Sequence, residues 1–257
     1  MSKWVFAVAD TFFAAPNGPR LLIYHHVGTN TGRQMEVALS DFRRQIDVLE
    51  ADYQVVDLES ALRSWNDADS SRLAVLTFDD GYSDTYTTAF PLLQEKGMPF
   101  TLYVSTRQVE LAGEGAVDSK SPAMTWDEIS AMYSTGLLTV GAHTHSHRDL
   151  REAGRDEVME EVSISNALIL KELGIHVRHF AYPWGYWSST AHDVISERYE
   201  SAVLGGSPNR QRPFDPYRVS RYPVQLSDES RFFRARLTGG LLFEERLRRR
   251  VHGYRGP

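Results

Sequence analysis

The chain of 257 residues contains no cysteine. Disulfide cross-links, thiolate metal ligands and a cysteine nucleophile are all excluded, although the absence does not by itself fix a redox compartment. It also has no apolar stretch near the roughly 20 residues needed to cross a bilayer. The patch Trp4–Ala9 is interrupted by Asp10 and preceded only by Lys3, which makes a poor export signal. A cytoplasmic protein, working in solution or at the inner membrane face, is the resulting expectation. There is no basic excess: 28 Lys and Arg against 34 Asp and Glu give a net charge of −6, which argues against general nucleic-acid binding. Internal repeats, low-complexity blocks and interdomain linkers are missing too.

What is present is a hydrophobic content of 42%, enough for one large core. Residues 1–20 read as an irregular N-terminal arm and 21–257 as one domain. After the first thirty residues, strand and helix patterns alternate. Leu21–Val27, Tyr53–Leu58, Arg72–Phe78, Phe100–Ser105, His179–Tyr182 and Ser201–Val203 read as strands. Asp41–Glu50, Asp84–Lys96, Asp156–Leu173 and Thr190–Arg198 read as helices, the third ended by Gly174. Thr125 and Glu128 have the spacing of a capping box. Such alternation predicts βαβ units and a parallel sheet. Glu110–Pro122, polar and carrying Gly113 and Gly115, reads as an insertion. The tail bearing Arg246, Arg248, Arg249, Arg250 and Arg255 reads as a basic C-terminal helix, solvated or in peripheral contact with a membrane.

Two strand ends carry chemistry. The apolar run Arg72–Phe78 stops at Asp79-Asp80-Gly81. Adjacent strand residues face opposite ways, so one carboxylate can hold a cation while the other moves a proton. The second run, Leu138–Ala142, enters His143-Thr144-His145-Ser146-His147. If the strand continues, His143 and His145 share a face; if the chain coils, His143 and His147 do. Gly141, Thr144 and Ser146 favour coiling. Imidazoles plus one carboxylate make a three-ligand site with positions left for water and substrate.

Thr77-Phe78-Asp79-Asp80-Gly81 with His143–His147 resembles the first two motifs of the polysaccharide deacetylases, the NodB-homology domain of carbohydrate esterase family 4. Phe180-Ala181-Tyr182-Pro183-Trp184-Gly185 resembles the third motif in its exopolysaccharide-modifying form. The likeness runs from about Leu21 to about Val224. It implies a distorted (β/α) barrel with about seven parallel strands, fewer than the regular eight. It also implies a metal-dependent hydrolase that removes N-acetyl groups from N-acetylhexosamine units of a glycan or glycoconjugate. Asp80, His143 and His147 would hold one divalent ion, zinc first, with cobalt or nickel as alternatives. Asp79 would be the general base. The backbone amide of Trp184 would help stabilise the oxyanion, in a loop formed by Tyr182, Pro183, Trp184 and Gly185.

The acid histidine of archetypal members lies near the C-terminal end of their domain, where this chain offers only His252. Tyr24-His25 instead resembles the circularly permuted arrangement of the poly-N-acetylglucosamine deacetylases. His25 is by that resemblance the acid, facing the metal from beside the last barrel strands, with a pKa suited to neutrality and with His26 on the other face. Archetypes place an arginine where Tyr182 stands, and it orients the base. Arg218 and Arg221 lie in a late strand-like segment within reach of the site, although surface positions are the default for arginine. Trp184, Tyr186 and Trp187 could stack on a pyranose ring. A hydrolase of a cyclic amide or formamide on the same fold, and a non-catalytic glycan-binding module, are the competing readings.

Overall fold

The computed structural model describes residues 18–115, 122–206, 214–228 and 230–238. Its strands are β1 (Arg20–Tyr24), β2 (His26–Val27), β3 (Glu36–Val37), β4 (Gln54–Val55), β5 (Leu73–Asp80), β6 (Phe100–Val104), β7 (Leu138–Ala142), β8 (His179–Ala181), β9 (Ser201–Leu204), β10 (Val219–Ser220) and β11 (Tyr222–Pro223). The main sheet runs in space β10-β9-β8-β7-β6-β5-β1-β11, with β4 paired to the start of β5. All its pairings are parallel. The two ends of this path meet in one piece of chain. β10 pairs with β9, β11 pairs with β1, and only Arg221 separates them. Counted as one broken strand, they reduce the eight strands of the path to seven staves, in agreement with the expected barrel.

Strand alternation sorts the residues into two layers. Leu22, Tyr24, Leu76, Phe78, Phe100, Leu102, Val140 and Phe180 belong to the larger core packed against the helices. Tyr24, Phe42, Phe78 and Phe100 form an aromatic run there, with centroids 5.3–6.3 Å apart; burying each such ring contributes on the order of 1.5–3 kcal/mol. Leu21, Val75, Tyr103, Ala181, Val203 and Val219 form the smaller cluster inside the barrel. Gly141 belongs to that interior. A Cβ there would strike the ring of Tyr103 and the His179 carbonyl, so this glycine serves a close approach within β7 and not the chain's departure from it.

The helices are α1 (Leu39–Asp52), α2 (Leu58–Arg63), α3 (Phe90–Glu95), α4 (Thr106–Gly113), α5 (Trp126–Tyr133), α6 (Arg155–Leu173), α7 (Ser189–Ser196) and α8 (Ser230–Leu237). Leu58 and Ala61 of α2 join the interior cluster and close the N-terminal end of the barrel. The capping box of Thr125 and Glu128 forms as spaced, and Gly174 ends α6 in the left-handed conformation, at φ 70. The expected helix over 84–96 is not uniform: a π-type turn at Thr85–Ala89 precedes α3. Pro91 has no N–H to continue the regular ladder, and Phe90 donates five residues back to Thr85.

Three expected boundaries move. The strand over 21–27 breaks at His25, and His26–Val27 pair with β3 in a separate sheet. The strand over 53–58 shortens to Gln54–Val55, because Asp57 caps α2 by accepting the Ser60 N–H at 2.8 Å. Within Glu110–Pro122, residues 110–113 finish α4 and 116–121 lie outside the described residues. Most of the N-terminal arm, the arginine-rich tail and His252 also lie outside them, whereas Arg20 already belongs to β1.

Candidate active site

The C-terminal ends of the strands surround a cavity of about 790 Å³ lined by His25, Asp79, Asp80, His143, His147 and Arg221, among others. Among the described residues, four of the five non-glycine residues with positive φ lie at or next to it: Asp80 (72), Thr144 (63), His147 (59) and Trp184 (61). Left-handed backbone at such residues is uncommon, and for the β-branched Thr144 it is a genuine outlier. Strain of this kind persists only where surrounding contacts over-determine it. Those contacts are visible in the histidine loop. Glu161 of α6 accepts the N–H groups of His145 and Ser146 at 3.0 and 2.8 Å, and Thr106 N–H of α4 donates to the Thr144 carbonyl.

The loop so held coils after His143. Asp80, His143 and His147 bring one ligand atom each to within 4.8 Å of one another. His145 points elsewhere, with its Nδ1 3.0 Å from the Thr106 hydroxyl. Nε2 of His143 lies 3.4 Å and Nε2 of His147 3.2 Å from Asp80 Oδ1, yet this buried oxygen has no hydrogen-bond partner. His143 Nδ1 is 2.8 Å from the Ala181 carbonyl, so it carries the proton and Nε2 presents a lone pair to the carboxylate. A carboxylate oxygen and two imidazole nitrogens converge here, and that donor set fits a divalent cation. Burial acts to raise the Asp80 pKa, but the two imidazoles outweigh it and hold the carboxyl well below its usual range. At His143 burial acts to lower the pKa, and the two aspartates more than reverse it.

Asp79 faces the other way, into the barrel. It is 3% exposed and receives two hydrogen bonds from Arg221, both at 2.7 Å. Arg221, fully buried, also donates to Thr77 Oγ1 at 2.9 Å and to the Leu204 carbonyl at 3.1 Å. The arginine missing from the third motif is thus supplied by the residue that breaks the closing strand, not held at the surface as arginines usually are. Arg218 does not reach Asp79; its guanidinium lies 4.4 Å from the Trp187 ring centre. Burial acts to raise the Asp79 pKa, but Arg221, backed by His143 and His25, keeps it below the ordinary value. The carboxylate is ionised and oriented.

His25 sits in the break after β1, half-buried, with Nδ1 enclosed and unpaired. As expected, β1 lies beside the last barrel strand, through Leu22–Tyr222 and Ile23–Pro223. The expectation of a pKa near neutrality needs correction. Burial lowers it, and the opposing pull of Asp80 and Asp79 recovers only part of the loss. His26 turns to the other side, with Nδ1 2.7 Å from Asp84 and its ring stacked on Tyr82 at 3.8 Å.

In the third motif, Trp184 and Gly185 line the cavity, while Tyr182 and Pro183 are buried behind it. The Trp184 indole, 63% exposed, lies against His147 with ring centres 5.2 Å apart. The turn is seated by backbone contact, since a Cβ on Gly185 would overlap Gly205. Of the three aromatic residues expected to stack on substrate, Trp184 and Tyr186 line the cavity. Trp187 instead packs against His192 and Arg218.

Comparison with known proteins follows the same lines. A Polysaccharide deacetylase family profile matches residues 66–198. The poly-beta-1,6-N-acetyl-D-glucosamine N-deacetylase of Staphylococcus aureus is 25% identical over 188 residues, covering 68% of this chain and 62% of the relative. YxkH of Bacillus subtilis is 22% identical over 171 residues, covering 65% of this chain and 57% of the relative. The chain thus spans less than two thirds of the length of either curated relative. The Streptococcus pyogenes deacetylase PplD superposes with a TM-score of 0.74 at 21% identity, over 86% of this chain and 99% of that one. IcaB from Ammonifex degensii gives 0.74 at 23%, over 88% and 98%. Both share the fold. The chain belongs to the polysaccharide deacetylase family.

Proposed function

We propose that this protein is a metal-dependent N-deacetylase acting on N-acetylhexosamine units, with a poly-β-1,6-N-acetylglucosamine-type glycan as the favoured substrate class. The observation that carries the reading is the division of labour at adjacent residues: Asp80 joins two imidazoles in a cation-binding set, while Asp79 is held apart by Arg221. A divalent cation held by Asp80, His143 and His147, zinc in the first instance, supplies a Lewis acid that acidifies water and polarises an amide carbonyl. Asp79 accepts the proton of the attacking water, for which its ionised state and fixed orientation suit it. The Trp184 amide, placed by the turn at φ 61, donates to the carbonyl oxygen as it gains charge. His25, beside Asp79 at the end of the neighbouring strand, delivers a proton to the departing nitrogen. Burial lowers the His25 pKa from its ordinary value, and the neighbouring Asp80 and Asp79 carboxylates oppose that shift and favour the protonated form.

The competing C–N hydrolase reading rests on the shared fold and is favoured slightly by the arginine absent from the third motif; the Arg221–Asp79 pair speaks against that second support. A binding module has no use for a clamped carboxylate beside a cation site. Among the described residues no helix is long and apolar enough to cross a membrane. We keep a cytoplasmic setting as the proposal, and cell fractionation tests it. The test of function is acetate release from N-acetylglucosamine oligomers. It is expected to stop on chelation and return with zinc, cobalt or nickel. Full metal occupancy without release from any N-acetylated sugar contradicts the reading.

A further inference from the structure

One polar side chain in the cavity is used by none of the steps above. Gln225 is 6% exposed, it lines the cavity, and its Oε1 has no hydrogen-bond partner. A buried carbonyl oxygen left unpaired is costly, and native structures keep few of them without a reason. The backbone cannot turn to hide it. Gln225 N–H donates to Asp228 Oδ2 at 3.0 Å, its carbonyl accepts the Asp228 N–H at 2.8 Å, and Leu226 N–H donates to the Gln34 carbonyl at 3.0 Å. Asp228 is fixed in turn by Arg236 at 2.8 and 3.0 Å.

The position follows from strand alternation. Tyr222 and Val224 belong to the outer core, so Gln225 has the parity of Arg221, which reaches inward to Asp79. Val224 N–H bonds the Ile23 carbonyl, which continues the β1–β11 ladder and leaves Gln225 level with His25. It stands four residues beyond Arg221, on the order of 13 Å along extended chain. It therefore flanks the reacting centre, on the far side of His25 from Asp79, where the ring of a sugar would lie beside its acetyl group.

Building on the deacetylase reading, we propose that Gln225 is a specificity residue whose Oε1 accepts a hydrogen bond from a ring hydroxyl, O3–H or O4–H, of the N-acetylhexosamine in the site. Both hydroxyls are free in a 1,6-linked chain, whereas a polymer linked through O4 offers only O3–H. A fixed, desolvated acceptor discriminates strongly, because a substrate lacking the hydroxyl leaves it unpaired.

The test uses the zinc-loaded protein, a β-1,6-linked N-acetylglucosamine pentamer, and its 3-deoxy and 4-deoxy analogues. Calorimetric binding and acetate release are measured for the wild type, Gln225→Leu and, as a second apolar variant should leucine misfold, Gln225→Met. The expected result is a pentamer Kd raised about 10–100-fold by loss of one buried acceptor. KM should rise in parallel while kcat stays within about threefold, the sign of lost uniform binding. One deoxy analogue should bind wild type and variant alike. Zinc content and Tm should not fall, because the substitution removes an unpaired group; a purely structural glutamine would lower Tm. Equal pentamer binding by wild type and variant overturns the proposal. So does a variant penalty undiminished on both deoxy analogues, or a wild type that does not bind the pentamer. If the binding difference appears without acetate release, the deacetylase reading fails and the Gln225 contact stands.

Discussion

Asp79 and Asp80 are adjacent, yet the first is bound to a guanidinium and the second faces two imidazole nitrogens. Substitution should separate them. Asp79→Asn should keep the metal and lower turnover about 10²–10⁴-fold, the usual scale for a lost acid–base group. His147→Ala and His143→Ala should lose most of the metal, and His145→Ala should lose neither metal nor activity. Metal analysis beside acetate release on the four variants checks this, and metal loss from His145→Ala with retention by His147→Ala would sink the assignment. The Asp79–Arg221 pair also carries stability. Arg221→Met leaves a buried carboxylate uncompensated and should cost about 3–5 kcal/mol in denaturant unfolding. The sign of the pH effect is set by the depressed Asp79 pKa. The pair's contribution is complete above the unfolded value, about 3.9, and is lost as pH falls below it, so wild type and Arg221→Met should converge in stability in acid. The carboxylates and histidines were legible in sequence because each cluster is local. The arginine was legible only as one of two candidates, Arg218 and Arg221, because its partnership spans 142 positions and exists only once the barrel closes.

The elements that shape the site are those that depart from regularity. β1 stops at His25, the closing strand stops at Arg221, and the third-motif turn places Trp184 at φ 61. At each break a side chain or an amide-bearing residue lines the cavity. Periodicity locates a strand by its regular part, which is why the sequence shows β5, β6 and β7 clearly but not these interruptions. The π-type turn before α3 escaped for a similar reason: Pro91 was visible, but the five-residue spacing it forces is not a pattern in side-chain type. The seating of the turn gives a prediction at this scale. Gly185→Ala puts a Cβ into the Gly205 backbone at a position with φ 69, so the turn must move. A displacement of about 1 Å at a reacting group can cost on the order of 10²-fold in rate. Gly185→Ala should therefore lower kcat strongly with metal content unchanged. Unaltered kcat would remove the Trp184 amide from the mechanism.

At the scale of the molecule, a seven-stave barrel closed by a broken strand brings His25, from the first strand, and Arg221, from the last, onto neighbouring strands beside Asp79 and the cation-binding set. Alternating strands and helices, together with three motifs at strand ends, carried the fold class and the position of the site. Closure through residues 219–223 was not legible, since two short strands separated by an arginine give little periodic signal. Metal should act on the whole domain as well as on its chemistry. A ligand that binds only the folded state stabilises it by about 2.7 kcal/mol at a hundredfold excess over Kd, so zinc should raise the Tm of the stripped protein and leave that of His147→Ala unmoved. The central claim, that this barrel end is a cation-dependent N-deacetylase centre, is met most directly by acetate release from a β-1,6-linked N-acetylglucosamine oligomer, followed on one sample before chelation, after it, and after zinc is restored. The account predicts release, loss and recovery. Release that continues undiminished in the stripped protein, or none from a sample whose site is filled, would contradict it.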